Sequence, residues 1–437
     1  MPAMARRLSF TSEALAAGSF PPPAEVCEPI INVPCVVTQL PARQRLVAAM
    51  KQLLDLHPRF AMSPAEGEGC CASWKWTEAP MAVEDVEAHI KTHAKMDGWE
   101  SAWDAAFQAS ERPIDLPRSC AWWEVHLIPV QGTEKAIVML RIHHVIGDGI
   151  GLASALRVIL TDASGNPVGA GKKFERRPAK ATCRSPLGIL WDLGVAMTLP
   201  SIGADVPLPN LQGDRPLRYG PRQFANVAPI PVARVKAVAR SVGATFNDVV
   251  LAAVAGAVAS ACQPPEKGMV RALMPFAAPR SSESRGGVLR NLWSFVSVKL
   301  PVTGRHTGIE RIRAVKKETD MLKASLQAQF LLFLTNYVVS MAPRFVSRQI
   351  TYDTFSRHSF VVTNVPGPAE PVHLAGAEVL ETHLLFPNLI PQISFLSYND
   401  VVYCNIIAHG KAPEVAANIE REIVKMEREM VESGVRV

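Results

Sequence analysis

The stretch RIHHVIGDGIG, residues 141 to 151, places two adjacent histidines ahead of an aspartate and three spaced glycines. An imidazole titrates near neutral pH and can take a proton from a hydroxyl, so His143 and His144 are candidate bases. The apolar run AIVMLRIHH (136–144) predicts a strand. On a strand neighbouring side chains point to opposite faces, so the two rings cannot reach one point, and a metal shared between them is excluded on that geometry. Asp148 stands where the cap of the following helix belongs, and its carboxylate can accept backbone N–H groups of the first turn. Gly147, Gly149 and Gly151 permit a tight strand-to-helix turn. GDGIG lacks the lysine and spacing of a phosphate loop.

The elements that must hold this stretch follow from periodicity. AWWEVHLIPV (121–130), a turn at Gln131-Gly132 and the 136–144 run read as a hairpin. Apolar residues at 150, 152, 153, 156, 159 and 160 form one helical face. Helices are further expected at 42–58, 83–94, 308–325, 327–342 and 412–432, with two joined at Gly243 to Asn247. Strands are expected at 270–277, 293–302, 358–366 and within 391–409. Strands and helices alternate through both halves, which predicts an α/β protein of two domains. At 437 residues the chain exceeds one ordinary core. The Gly-, Pro- and charge-rich stretch 163–186 is the natural linker. The expected division is therefore 1–162, a 163–215 crossover and 216–437.

Composition narrows the function. The chain is 48% hydrophobic and 20% charged, with mean hydropathy of +0.11, which describes a globular protein suited to lipid company. A net charge of +6 comes without a basic helix or aromatic-basic sheet, and nucleic acid is not expected as a partner. The basic cluster Lys172, Lys173, Arg176, Arg177 and Lys180 suits a solvated linker, an anionic membrane surface or a phosphorylated substrate. Eight cysteines without a CxxC pair indicate neither a metal framework nor a disulfide scaffold. No signal-peptide core stands at the N-terminus, so secretion is not expected. The apolar stretches 185–204 and 328–346 each fall short of a clean span of about 20 residues; the first reads as a membrane-contacting segment and the second as a core helix.

HHVIGDG (143–149) resembles the HHxxxDG motif of the bifunctional wax ester synthase/acyl-CoA:diacylglycerol acyltransferase family, in its plant and algal branch. FNDVVLA (246–252), RNLWSF (290–295), NVPGP (364–368) and SYND (397–400) are similar to further landmarks of that family, in the same order. The resemblance implies a fold like chloramphenicol acetyltransferase: two α/β domains with a tunnel between them and His144 at its centre. It implies an O-acyltransferase joining a long-chain acyl group from acyl-CoA to a fatty alcohol or diacylglycerol, with acyl-CoA as a substrate and no cofactor. His144 is then the general base, with His143, Asp148 and Gly149 completing the catalytic motif. Asn247, Asp248, Trp123 and Asn291 are candidate substrate contacts. Asn247 reads equally as the cap of a 248–260 helix, Asp248 as support for that turn, and Trp123 as core. No G-x-S-x-G elbow or papain-like cysteine context appears, which favours direct transfer in a ternary complex.

Two other readings stand beside this one. A condensation-type transferase would use another acceptor or a carrier-protein donor, and a degenerate relative would bind lipid without catalysis. The expected place of work is the cytosolic face of a membrane, the endoplasmic reticulum or a lipid droplet in a eukaryote. No feature here specifies an oligomeric state.

Overall fold

The computed structural model describes residues 8–22, 24, 28–66, 74–78, 83–168, 185–205, 208–213, 217, 220–262, 268–277 and 289–432. Most of the 163–186 linker, and with it the basic cluster from Lys172 to Lys180, lies outside these residues. In chain order the first part comprises α1 (Phe10–Ala16), β1 (Ile30–Val37), α2 (Arg43–Leu56), β2 (Met62–Glu66), β3 (Trp74–Glu78), α3 (Val83–Ala88), β4 (Ile90–Thr92), α4 (Gly98–Ser110), β5 (Trp123–Pro129), β6 (Ala136–His143), α5 (Gly149–Leu156) and β7 (Leu160–Thr161). There follow α6 (Pro186–Thr198), α7 (Pro209–Gln212), β8 (Gln223–Asn226), β9 (Ile230–Pro231), α8 (Val232–Ser241), α9 (Phe246–Cys262), β10 (Met269–Ala277) and β11 (Trp293–Pro301). The last part comprises α10 (Gly308–Ala324), α11 (Gln327–Phe333), α12 (Arg344–Ser356), β12 (Phe360–Pro366), β13 (His373–Leu374), β14 (Ala377–Thr382), β15 (Gln392–Tyr398), β16 (Val401–Ala408) and α13 (Ala412–Glu432).

Two mixed sheets organise these elements. The first has the order β4-β5-β6-β1-β14-β13-β7, the second β11-β10-β12-β15-β16-β8 with β9 also paired to β16. Each carries its own apolar core. The expected hairpin is β5 against β6, in register from Trp123 opposite Ile142 to Pro129 opposite Ala136. β6 is buried along its whole length, as a central strand covered on both faces must be.

The sheets do not divide at one point of the chain. After β12 the polypeptide leaves the second sheet, adds β13 and β14 to the first, and returns to the second as β15. β14 pairs antiparallel with β1, so residues 377–382 are held by residues some 345 positions earlier. β1 itself, IINVPCVV, carries no alternation and a proline, and the periodicity missed it. Its pairing with β6 runs from Ile30 opposite His143 to Val37 opposite Ala136.

Three other expectations need correction. The helix expected over 83–94 stops at Ala88, and 90–92 pairs parallel with β5. The helix after Asp148 ends at Leu156, with a 3-10 turn over 157–159. The core helix expected over 328–346 is instead α11, a π turn at 334–338 and a 3-10 turn at 339–341, and it exposes Phe333, Tyr337, Val338 and Met341. Its apolar residues lie all round the element, so composition alone did not distinguish a buried from an exposed face.

Candidate active site

β6 ends at His143, and His144 sits in the turn that follows. The two rings do diverge, yet the cause is the end of the strand rather than its alternation. The backbone N–H of His144 still donates to Pro29 O at 2.8 Å, which ties the turn to the start of β1. His143 is buried; its Nδ1 accepts the Val145 N–H at 3.1 Å and its ring meets Trp122 edge-on at 4.8 Å. Burial, aided by the neighbouring His144 and Arg118 charges, pushes its pKa well down. His143 thus reads as a neutral wedge bracing the turn.

His144 contacts both sheets. Its ring lies 5.1 Å from Trp293 of β11 and 6.1 Å from Phe386 in the 383–391 return, and its Nδ1 is 3.2 Å from Asn291 Oδ1. The Asn291 amide nitrogen donates to His144 O at 2.8 Å and Val145 O at 3.1 Å. Two carbonyl acceptors fix which end of that amide is nitrogen. The end facing the imidazole is therefore oxygen, Nδ1 carries the proton, and Nε2 carries the lone pair. Burial holds the His144 pKa below its ordinary value, against an opposing pull from the Asp148 carboxylate, its own backbone and Asn291.

Asp148 caps α5: Oδ1 accepts Gly151 N–H at 2.9 Å and Oδ2 accepts Leu292 N–H at 3.3 Å. One carboxylate thus closes the turn and clips it to the segment that carries Asn291. Gly149 is the first residue of α5 and lies on the cavity wall. From the other side Arg59 donates to Ile146 O at 3.2 Å. Burial lowers its pKa to about 10, helped by Arg290 and opposed by Asp148.

In the second sheet's half, α9 begins at Phe246. The cap is Thr245, whose hydroxyl lies 3.3 Å from Asp248 N–H while Asp248 Oδ2 accepts Thr245 N–H at 2.8 Å and its hydroxyl at 2.7 Å. The other carboxylate oxygen accepts the Thr319 hydroxyl at 2.6 Å. Asp248 therefore serves the turn, and neither it nor Asn247 occupies the cap position. Asn247 is exposed on the cavity wall, where its Oδ1 accepts Asn364 Nδ2 at 2.6 Å. Trp123 is fully buried, donates its indole N–H to Phe60 O at 2.7 Å, and does not reach the cavity.

All of this surrounds one cavity of about 2650 Å³ lined from both sheets, more than twice the roughly 1,000 Å³ upper end of ordinary small-ligand sites. His144, Trp293 and Phe386 line it, as do Asn247 and Asn364. NVPGP forms the end of β12 and the crossing that follows. Gly367 N–H donates to Ser397 O at 2.8 Å, and a Cβ there would meet that same oxygen at 2.5 Å, so only glycine lets the two strand ends approach this closely. Pro368 O in turn accepts Asn399 N–H at 3.0 Å, and Asn399 and Asp400 of SYND both have positive φ. The sequence reading missed Trp293 and Phe386 as neighbours of His144; Trp293 stood within RNLWSF, whereas nothing around Phe386 marks it.

Two sheets joined by a strand crossover, with a histidine turn on a cavity lined from both, make a two-domain condensation-like fold. Residues 290–427 match the family described as the WS/DGAT C-terminal domain. The chain is 25% identical over 349 residues to a probable diacylglycerol O-acyltransferase of Mycobacterium tuberculosis, covering 71% of this chain and 72% of that one. It superposes with a TM-score of 0.62 on the wax ester synthase/diacylglycerol acyltransferase from Marinobacter aquaeolei VT8, at 17% identity and 98% coverage of both. A condensation domain of the CDA synthetase gives 0.63 at 12% identity, covering 100% of this chain and 98% of that one. The chain is thus similar to wax ester synthase/diacylglycerol acyltransferases along most of its length, and matches their C-terminal domain family over residues 290–427.

Proposed function

We propose that this protein transfers a long-chain acyl group from acyl-CoA to the hydroxyl of a fatty alcohol or diacylglycerol, with His144 as general base. The observation that carries the reading is the Asn291 amide, oriented by two carbonyls so that its oxygen faces His144 Nδ1, from which an unprotonated Nε2 follows on a ring that lines the cavity. Nε2 takes the alcohol proton as the oxygen attacks the thioester carbonyl. The C–S bond then breaks, and the imidazolium returns the proton to the departing thiolate, a good leaving group because thiol pKa values lie near about 8.5. Atoms and charge balance without a further cofactor. Trp293 and Phe386 keep water from the ring, which limits thioester hydrolysis.

In this proposal Asn291 and Asp148 are positioning residues, acting through His144 and its turn. Asn247, held by Asn364, is the polar group that the second sheet's half brings to the substrate. The proposed domain division keeps 1–162 and 216–437 as the two halves and 163–215 as the crossover, with residues 373–382 contributed to the first sheet. Work at a lipid surface fits the acceptors, both of which reside in lipid.

The test is release of free thiol from long-chain acyl-CoA with hexadecanol, diacylglycerol or no acceptor, for the native protein and His144→Ala. Acceptor-dependent release that collapses in the variant supports the reading. Ester formation undiminished by the substitution overturns it, and the better acceptor is read directly from the product.

A further inference from the structure

Among the described residues no single helix is long and apolar enough to cross a membrane, yet the surface carries a concentrated apolar patch. On α6, Leu187 is 79% and Trp191 71% exposed, with Leu190 and Met197 beside them. α6 packs on α11, and the turn at 339–341 packs on α12. This second run adds exposed Phe333, Tyr337, Val338 and Met341, and ends in Phe345 at 75%. Two packed elements thus present one plate of large aliphatic and aromatic side chains, where singly scattered ones would need no explanation.

Charge distinguishes what this plate faces. Residues 326–350 contain no aspartate or glutamate, and two arginines, Arg344 and Arg348. α6 holds a single acid, Asp192, which is fully buried and accepts the Leu326 N–H at 2.9 Å. The sequence entering α6 is itself basic, with Lys172, Lys173, Arg176, Arg177, Lys180 and Arg184 against Glu175. An apolar plate with Trp and Tyr, no exposed acid within its own segments, Arg344 paired with Glu66 beside it at 2.7 Å and a basic run just before α6 in the sequence matches the boundary of an anionic bilayer, where apolar area and electrostatic attraction add. α6 has 13 residues, too few for the roughly 20 a span requires, so it would lie in the surface plane.

The plate also continues into the cavity. α12 carries Phe345 at its start and, further along, Arg348, Thr351 and Phe355 on the cavity wall. We infer that the surface formed by α6 and residues 333–345 docks on an anionic lipid bilayer and places the α12 side of the cavity against it, so that an apolar acceptor enters from lipid. The docking stands by itself; the entry route rests on the acyl-transfer reading.

Full-length protein sedimented with vesicles of phosphatidylcholine and phosphatidylglycerol tests this, alongside Leu187→Glu/Trp191→Glu and Phe345→Glu. These positions are exposed, and unchanged melting temperatures confirm that the variants fold. Native protein is expected to bind, to bind at least tenfold less to pure phosphatidylcholine, and to lose at least tenfold in each variant. With diacylglycerol in those vesicles, ester synthesis should fall about tenfold in the variants, while synthesis with a short water-soluble alcohol should stay within twofold. Variants that bind vesicles like the native protein overturn the docking. So does a native dimer that the same substitutions dissociate without any vesicle binding, because the plate is then a contact between two copies. Vesicle binding without any acyl transfer leaves the docking supported and sinks the reaction.

Discussion

The turn at 143–149 and the helix start at 245–248 are built on the same plan in opposite halves of the molecule. Each has a buried aspartate at the start of a helix and a polar side chain nearby on the cavity wall: Asp148 with His144, Asp248 with Asn247. In both the carboxylate is occupied by groups of the turn and of a distant segment, Leu292 for Asp148 and Thr319 for Asp248. The difference lies in the neighbour. His144 is backed by Asn291 at its Nδ1 and enclosed by two aromatic rings, whereas Asn247 is exposed and its side chain is tied to Asn364. An acid in a chemical-looking motif can thus serve to aim its neighbour, and in the proposed mechanism the degree of backing separates the proton-transfer group from a contact.

That comparison breaks most sharply at the two neighbours themselves. His144→Ala should lower kcat by about a thousandfold, within the range of roughly 10² to 10⁴ for a positioned general base, while Asn247→Ala should cost about tenfold, seen in KM. Equal losses in steady-state assays would erase the distinction. Next come the acids. Asp148→Ala should lower kcat about a hundredfold, as a roughly 1 Å misplacement does, and remove about 1 kcal/mol of stability as a lost cap. Asp148→Asn should restore part of the rate, because an amide oxygen can still accept the Gly151 N–H while the amide nitrogen cannot accept the Leu292 N–H. If Asn is as poor as Ala in parallel kinetic and melting experiments, the Gly151 bond alone does not aim His144, and the Leu292 clip or the charge does.

The pH profile sharpens the same point. Base catalysis needs neutral His144, and its pKa is held below 6.5, so the acid limb of kcat/KM should fall below pH 6.5. Asn291→Asp puts a negative charge at Nδ1 and should move that limb upward; a limb that stays in place would remove Asn291 from the proton chemistry. Because the folded-state values of His143 and His144 are depressed, the unfolded chain takes up more protons below pH 6.5. Stability should therefore decline with falling pH as well, and melts across the same range separate the two effects. Smallest is Asp248→Ala, expected to cost about 1 kcal/mol as a broken cap and to leave kcat within about threefold. A larger kinetic loss would make the two acids unequal.

Legibility in the sequence followed locality. The β5–β6 hairpin, the helix opened by Asp148 and α10 were readable because apolar period and cap residues lie within a few positions of one another. β1 and β14 were not, since each is defined by partners far along the chain. The short β4 hid at the end of a helical pattern because three residues carry no period. At the site, HHxxxDG and NVPGP announced themselves, and Asn291 was singled out as a substrate contact rather than as the partner of His144. Trp123 carries the same apolar signal whether it lines a cavity or fills a core, and only packing put it in the core.

By itself the sequence determined two α/β halves, an aspartate-capped turn that presents a histidine, and a glycine between two prolines where strands meet closely. These are local matters of backbone freedom, hydrogen-bond valence and period. Tertiary structure alone decided what holds the His144 ring, which of its nitrogens is left to carry the lone pair, and that the second sheet's segments supply walls of the cavity. Those choices depend on Asn291, Trp293 and Phe386, brought within a few ångströms of His144 from 147 to 242 positions away, and no local pattern encodes a contact whose two sides are specified separately.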